Sequence, residues 1–279
     1  MKFREIFIES WSELEKLELT SSFKLFRGQS SVDWNIESSL QRNLDSNEDH
    51  ALNTEHWLIY QFKRRAHHYI ECPEDEDILS WLALMQHHGA PTRLVDFTYS
   101  FYVALFFAAV EAEGDCTVWC IDEGWLRSIS RSLSDKYIST KFGTLRDDDY
   151  EKINLFAGEY LNKLLKVNKG LTDEFEGVLQ GVVAIDPYKQ GKRVAFQQGV
   201  FLVPLNIDIG FFENIEQSLS ETNDSYNMSS GNRVRKIIFS KDMKYEILLN
   251  LKAMNITYET LFPGIDGFSK SLVHTVLKT

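Results

Sequence analysis

Cysteine is scarce in this chain and occurs at Cys72, Cys116 and Cys120 only. An odd count, with no ligand spacing to nearby histidines, excludes a disulfide framework and a zinc motif and leads us to expect reduced thiols in the cytosol. Long apolar runs are missing too. None approaches the roughly 18 residues that a bilayer demands, and Lys2, Arg4 and Glu5 stand where a signal peptide would place its apolar stretch, so a soluble, cytoplasmic protein without membrane contact is expected. Basic charge is short: 30 Lys and Arg face 41 Asp and Glu, a formal net charge of −11. That balance opposes non-specific attraction to nucleic acid, which is not expected as a partner. Two basic clusters, Lys63 to Arg65 and Arg233 to Lys236, read as solvated faces. Nor is there an internal repeat.

Metal-ligand patterns are equally thin. His67-His68 and His87-His88 are adjacent pairs, whose side chains diverge by about 100° on a helix. The acidic run Glu71, Glu74, Asp75, Glu76, Asp77 lacks the spacing of a calcium loop, so no metal is expected.

What the chain does have is material for a core. Its 279 residues are 43% hydrophobic, enough for one large core, and its polar motifs are dispersed from Phe26 to Gly267. They can form one site only if the chain folds back on itself, which favours a single domain over 1–279.

Helices are expected over 10–17, 51–70 and 78–88, and strands over Ser22 to Phe26, 115–122 and 178–186. Cys116 and Cys120 would share one strand face as small hydrophobes. A polar, mostly helical insertion over 123–177, with the run Arg146 to Tyr150, reads as a surface element suited to partner or substrate specificity. Ser220 to Gly231 reads as a loop, Arg235 to Phe239 as a strand, and Ser240 as the cap of a helix from Lys241 to about Met254. The fold class is therefore α/β (α+β), a mixed or split sheet flanked by helices.

Three segments carry chemistry. Phe26-Arg27-Gly28-Gln29, followed by Trp34, Ser38 to Leu40 and Arg42, sets a guanidinium at a strand end beside a glycine that leaves a ligand room to approach. An internal Arg–Asp pair is the alternative use of such an arginine. Gln86-His87-His88-Gly89-Ala90-Pro91-Thr92-Arg93-Leu94-Val95-Asp96 runs from a helix through a glycine turn into a strand, and Thr98 and Ser100 lead into a helix, Phe101 to Val110, that is apolar all round. Arg93 and Asp96 are expected to pair or to meet a ligand. Arg193 to Pro204 reads as a strand with Gly199 at a bulge or close approach, and with Gln197 or Gln198 placed to bond a ligand hydroxyl or a loop carbonyl.

In this order, and with the closing Thr260-Leu261-Phe262-Pro263-Gly264-Ile265-Asp266-Gly267, the segments resemble the FRG domain family, met among bacterial and phage proteins. The resemblance spans roughly residues 20–268 and departs from the family at Phe97, where tryptophan is usual. The arrangement also looks like a degenerate ADP-ribosyltransferase: Arg27, then Leu94 to Ala108, then Gln197 to Val203 follow that superfamily's plan. This likeness implies NAD or a related nucleotide as ligand and substrate. Arg27, Gly28, Gln29, Arg93 and Thr98 would hold it, and His87, Asp96 and Gln197 would stand in the catalytic positions. The superfamily's Glu-x-Glu is replaced here by Gln197-Gln198-Gly199. The acid is then either lost or relocated to Asp96, or His87 serves as general acid or base. The alternative function is a protein-interaction or sensing module, with a protein partner on the acidic surface and the same residues fixing the fold.

Overall fold

β-Branched and aromatic residues gather in short segments, and in the computed structural model these segments pair into one sheet. The structure describes residues 3–17, 23–44, 51–138, 150–167, 178–186, 192–221 and 233–276. In chain order the elements are β1 (Arg4–Ile8), α1 (Trp11–Glu15), β2 (Phe23–Gln29), α2 (Ser39–Asn43), α3 (Ala51–Ala66), α4 (Ile78–His87), β3 (Val95–Thr98), α5 (Phe101–Val110), β4 (Cys116–Asp122), α6 (Glu123–Ile138) and α7 (Tyr150–Val167). There follow β5 (Val182–Ile185), α8 (Lys192–Phe196), β6 (Gly199–Pro204), α9 (Phe211–Glu221), β7 (Val234–Phe239), a 3-10 turn (Lys241–Met243), α10 (Lys244–Ala253), α11 (Tyr258–Leu261) and α12 (Ile265–Val276).

Among the described residues the sheet has seven strands in the order β1-β7-β4-β2-β3-β6-β5. β1 runs parallel to β7 and every other neighbour is antiparallel. This is the mixed α/β fold expected. The seam between β2 and β3 is its weak point, since Phe26 opposite Thr98 is their one paired position. β2 pairs with β4 along its length and β3 with β6 throughout, so the sheet divides into two halves joined at that position.

Both faces are covered, which is why β4 is buried at all of its positions. Trp119 and Ile121 pack with α3, α4, α6 and α7 on one side. Cys116, Val118 and Cys120 pack with α5 and α10 on the other, both thiols as small hydrophobes on one strand face. α5 is buried nearly all round, and Ser100 caps it by accepting from the Val103 amide. Gly28 lets it come close: a Cβ there would lie 1.9 Å from the carbonyl oxygen of Ala104.

Several expectations need correction. Arg27 is inside β2, not at its end, because Gly28 and Gln29 continue the ladder opposite Val118 and Thr117. The described helices of the 123–177 stretch contribute to the core. Trp125, Leu126 and Ile129 of α6 and Phe156, Ala157 and Tyr160 of α7 lie in the larger core, because the apolar stripes of both helices face the sheet. Its run from Arg146 to Asp149 lies outside the described residues, as does most of the loop expected after Ser220, a residue that itself belongs to α9. The strand expected over Arg193 to Pro204 is half helix. α8 ends at Phe196, Gln198 takes a positive φ of 48°, and β6 starts at Gly199, which pairs regularly with Thr98 and forms no bulge. Close approach at Gly199 does hold, since a Cβ there would meet Val194 Cγ1 at 3.1 Å. Among the described residues no helix is long and apolar enough to cross a membrane.

Candidate functional site

Where β2 and β3 part, a cleft of about 910 Å³ opens, and it is bordered by Arg27, Gly28, Gln29, His87, Asp96, Thr98 and Gln197. The cleft is lined by a guanidinium from β2 and a carboxylate from β3, together with the last turn of α4 and residues of α8 and the segment after it.

Arg27 reaches across the seam. Its Nη1 donates to the main-chain oxygen of Asp96 at 2.7 Å. Its Nε is buried and has no hydrogen-bond partner among the described residues. Burial pushes this guanidinium below its ordinary pKa, the Asp96 charge raises it again, and Arg42 lowers it further. An arginine stays protonated in any such setting, so the cation remains, with a buried donor left over whose desolvation costs about 1–3 kcal/mol.

The Asp96 carboxylate is exposed, and one of its oxygens is fixed by Gln86, whose Nε2 donates at 2.8 Å. Gln86 has no freedom to turn over, because its Oε1 accepts from Thr92 Oγ1 at 2.6 Å and from Ser39 Oγ at 3.4 Å. Thr92 is buried and tied to Ser39 by its main chain as well. A chain of polar contacts therefore runs from the start of α2 to the carboxylate.

Two further arginines border the cleft. Arg42 donates to the Glu37 carbonyl at 2.8 Å. Arg193 lies over the ring of Phe262, 4.5 Å from its centroid, and its pKa is lowered by burial against the raising effect of Asp96. The His87 imidazole is likewise held below its ordinary value, first by burial and then by His88 and Arg193. Trp34 borders the same space with 56% of its surface exposed.

Not every expected residue presents free chemistry here. Arg93 is the clearest correction. It is wholly buried and does not pair with Asp96 or border the cleft. Its Nε donates to Glu55 Oε1 at 2.7 Å, its Nη2 bonds the other oxygen of Glu55, and its Nη1 serves the carbonyls of Pro204 and Leu205. Gly28 contributes backbone to the cleft wall, but its missing side chain makes room for α5. Gln29 spends its amide inside the fold, donating to the Asn35 carbonyl at 2.9 Å and accepting from Trp119 Nε1 at 2.7 Å. Thr98 Oγ1 donates to the Gln197 carbonyl at 2.7 Å and accepts from the Ser100 amide at 3.0 Å. Gln197 Nε2 donates to the Leu261 carbonyl at 3.1 Å.

Gln86, Arg193, Arg42 and Trp34 were not singled out as site residues from the sequence. Gln86, Arg193 and Arg42 stand at the edges of the motif segments and Trp34 inside the first, and that placement of polar or aromatic residues is the signal for them.

Residues 23–115 match the family model of the FRG domain. The matched third of the chain runs from β2 to the start of β4 and contains Arg27, Gln86, His87 and Asp96, whereas Arg193 and Gln197 lie beyond it. No curated protein and no solved structure matches the chain.

Proposed function

We propose that the cleft binds a compact phosphate-bearing nucleotide, with NAD as the leading candidate, and that the chain acts on it as an ADP-ribosyltransferase-like enzyme. The observation that carries this reading is Arg27, a cleft residue whose buried Nε has no partner among the described residues. A phosphate oxygen would supply the missing acceptor. Arg42 and Arg193 add cationic charge around the same space, and the exposed ring of Trp34 offers a surface on which a base can stack. Asp33, Glu37, Asp96 and Glu111 line the same space, and with the chain's negative balance they favour a small ligand anchored at Arg27 over a long polyanion.

In the reaction, the bond between ribose C1′ and nicotinamide breaks and its electron pair leaves with nicotinamide. The positive charge that develops on the ribose needs a nearby anion; four carboxylates border the cleft, Asp33, Glu37, Asp96 and Glu111, and Asp96 is the one carried by β3 and fixed by Gln86. An acceptor's lone pair then forms the new bond to C1′. His87, whose depressed pKa keeps the imidazole neutral near pH 7, is suited to take the acceptor's proton.

A second reading, a non-catalytic interaction or sensing module, is favoured by one feature: Arg93, Gln29 and Thr98 all satisfy groups of their own fold. The two separate in a single experiment. Melting temperature measured with a panel of nucleotides rises for NAD or a relative if the cleft is a binding site, because a ligand bound only by the native state stabilises it. No shift with any nucleotide at about 100 times a typical micromolar Kd favours the interaction module.

A further inference from the structure

The last turn of α4 has two faces. Ala83, Gln86 and His87 border the cleft, whereas Met85, His88 and Ala90 border a second cavity of about 440 Å³, and the two linings share no residue. α3 closes the second cavity with Leu58, Phe62 and Ala66. Its size falls within the range of small-molecule sites, about 300–1,000 Å³.

The lining is chemically one-sided. Its walls are apolar, with Met85 as an adaptable thioether at the floor and Tyr69 at the rim, 82% exposed. Its basic side chains are Arg65 and His88, and among the described residues no carboxylate lines it, in a chain whose formal charge is −11. Arg65 is exposed and makes no ion pair among the described residues. An apolar body with an anionic end fits both features, because it fills the apolar walls and adds a weak ion pair with the exposed guanidinium that a neutral ligand of the same body cannot make.

We propose that this cavity is a second ligand site, for a small amphiphilic carboxylate with an acyl or aryl body, and that its occupancy is felt at the cleft through the last turn of α4. Coupling follows from shared backbone. Met85 and Gln86 are consecutive, as are His87 and His88, and Gly89, with φ of 79°, joins this turn to Ala90. A ligand that presses on Met85 and Ala90 displaces the residues that carry His87 and hold Asp96. Binding itself does not depend on the nucleotide reading of the cleft, and neither does its test.

The probe is decanoate, compared with decanol, which has the same chain and no charge. Saturable binding of decanoate below about 5 mM is expected, with decanol about fivefold weaker. Arg65→Glu, an exposed change that spares the core, removes that preference. Ala66→Trp fills the cavity and abolishes binding, with circular dichroism as the check on folding. Labelled imidazole resonances of His87 are expected to shift as decanoate saturates. No saturable binding overturns the site, equal binding of decanol and decanoate overturns its anionic selectivity, and unmoved His87 resonances at saturation overturn the coupling.

Discussion

The Arg27 guanidinium is tied to the backbone of Asp96, not to its carboxylate: Nη1 meets the Asp96 carbonyl oxygen at 2.7 Å while the carboxylate is held by Gln86. Cation and anion thus stand in one cleft without neutralising each other through a direct bond. That leaves the guanidinium available to an anionic ligand and the carboxylate available to a developing cation.

Arg27→Ala tests the first half of this arrangement. The change removes one bond to a carbonyl and relieves a buried, incompletely paired cation, two effects of opposite sign. Stability in urea is therefore expected to change by no more than about 2 kcal/mol, while the thermal shift produced by a nucleotide disappears. A loss of several kcal/mol with the nucleotide shift retained would contradict the assignment.

Arg93 behaves in the opposite way. Its removal leaves Glu55 as a buried charge without its counterion, and the carbonyls of Pro204 and Leu205 without their donor. Arg93→Ala is expected to cost about 3–5 kcal/mol in urea denaturation. Replacing both members, as Arg93→Met with Glu55→Leu, removes the charge problem and is expected to cost less than the single change.

Gly28 separates packing from ligand access. The atoms nearest to an added Cβ are the backbone of Ala104 and Ala108, which cannot turn aside as a flexible side chain can. Gly28→Ala is expected to displace α5 and cost about 3 kcal/mol or more, measured by urea denaturation in the absence of any ligand. Normal stability combined with lost nucleotide binding would restore the ligand-access role.

Arg27, His87, Asp96 and Gln197 meet at one cleft as their motif context implies, and the β3 to α5 passage with its Ser100 cap follows from alternation and an apolar run. Arg93 did not follow, because its partner Glu55 is 38 positions away on a helix with no visible signal for pairing. Gly28 borders the cleft as expected, and its second use, the close approach of α5, is not legible because a helix backbone and a ligand make the same demand on a glycine. The Lys192–Phe196 helix was read as a strand since five residues do not separate a period of 3.6 from one of 2. α6 and α7 looked peripheral because their polar faces dominate the composition while their buried stripes are narrow.

The pH dependence of His87 follows from its environment. Burial, then His88, then Arg193 lower its pKa below 6.5, so the unfolded chain binds the proton more readily than the folded one. Stability from this residue is present above about pH 6.5 and is lost as pH falls through the lower, folded value. NMR titration is expected to place His87 below the ordinary value, and Arg193→Gln to move it upward. An unchanged midpoint in that variant would remove Arg193 as a cause.

Asp96→Asn bears on the chemistry itself. Asparagine keeps an oxygen that can accept from Gln86 Nε2, so the contact that fixes this position survives, and so does the main-chain carbonyl that holds Arg27. What is lost is the negative charge facing the cleft. If Asp96 stabilises the positive ribose, nicotinamide release from NAD should fall by about 100-fold or more while the thermal shift with NAD persists, since such charge stabilisation acts at the transition state. Loss of binding and stability together would make Asp96 a structural residue, and undiminished release would remove it from the reaction. The wild-type assay comes first: if no nicotinamide appears even with protein and nucleic-acid acceptors supplied, while the thermal shift is present, the cleft is a nucleotide-binding site without transferase chemistry.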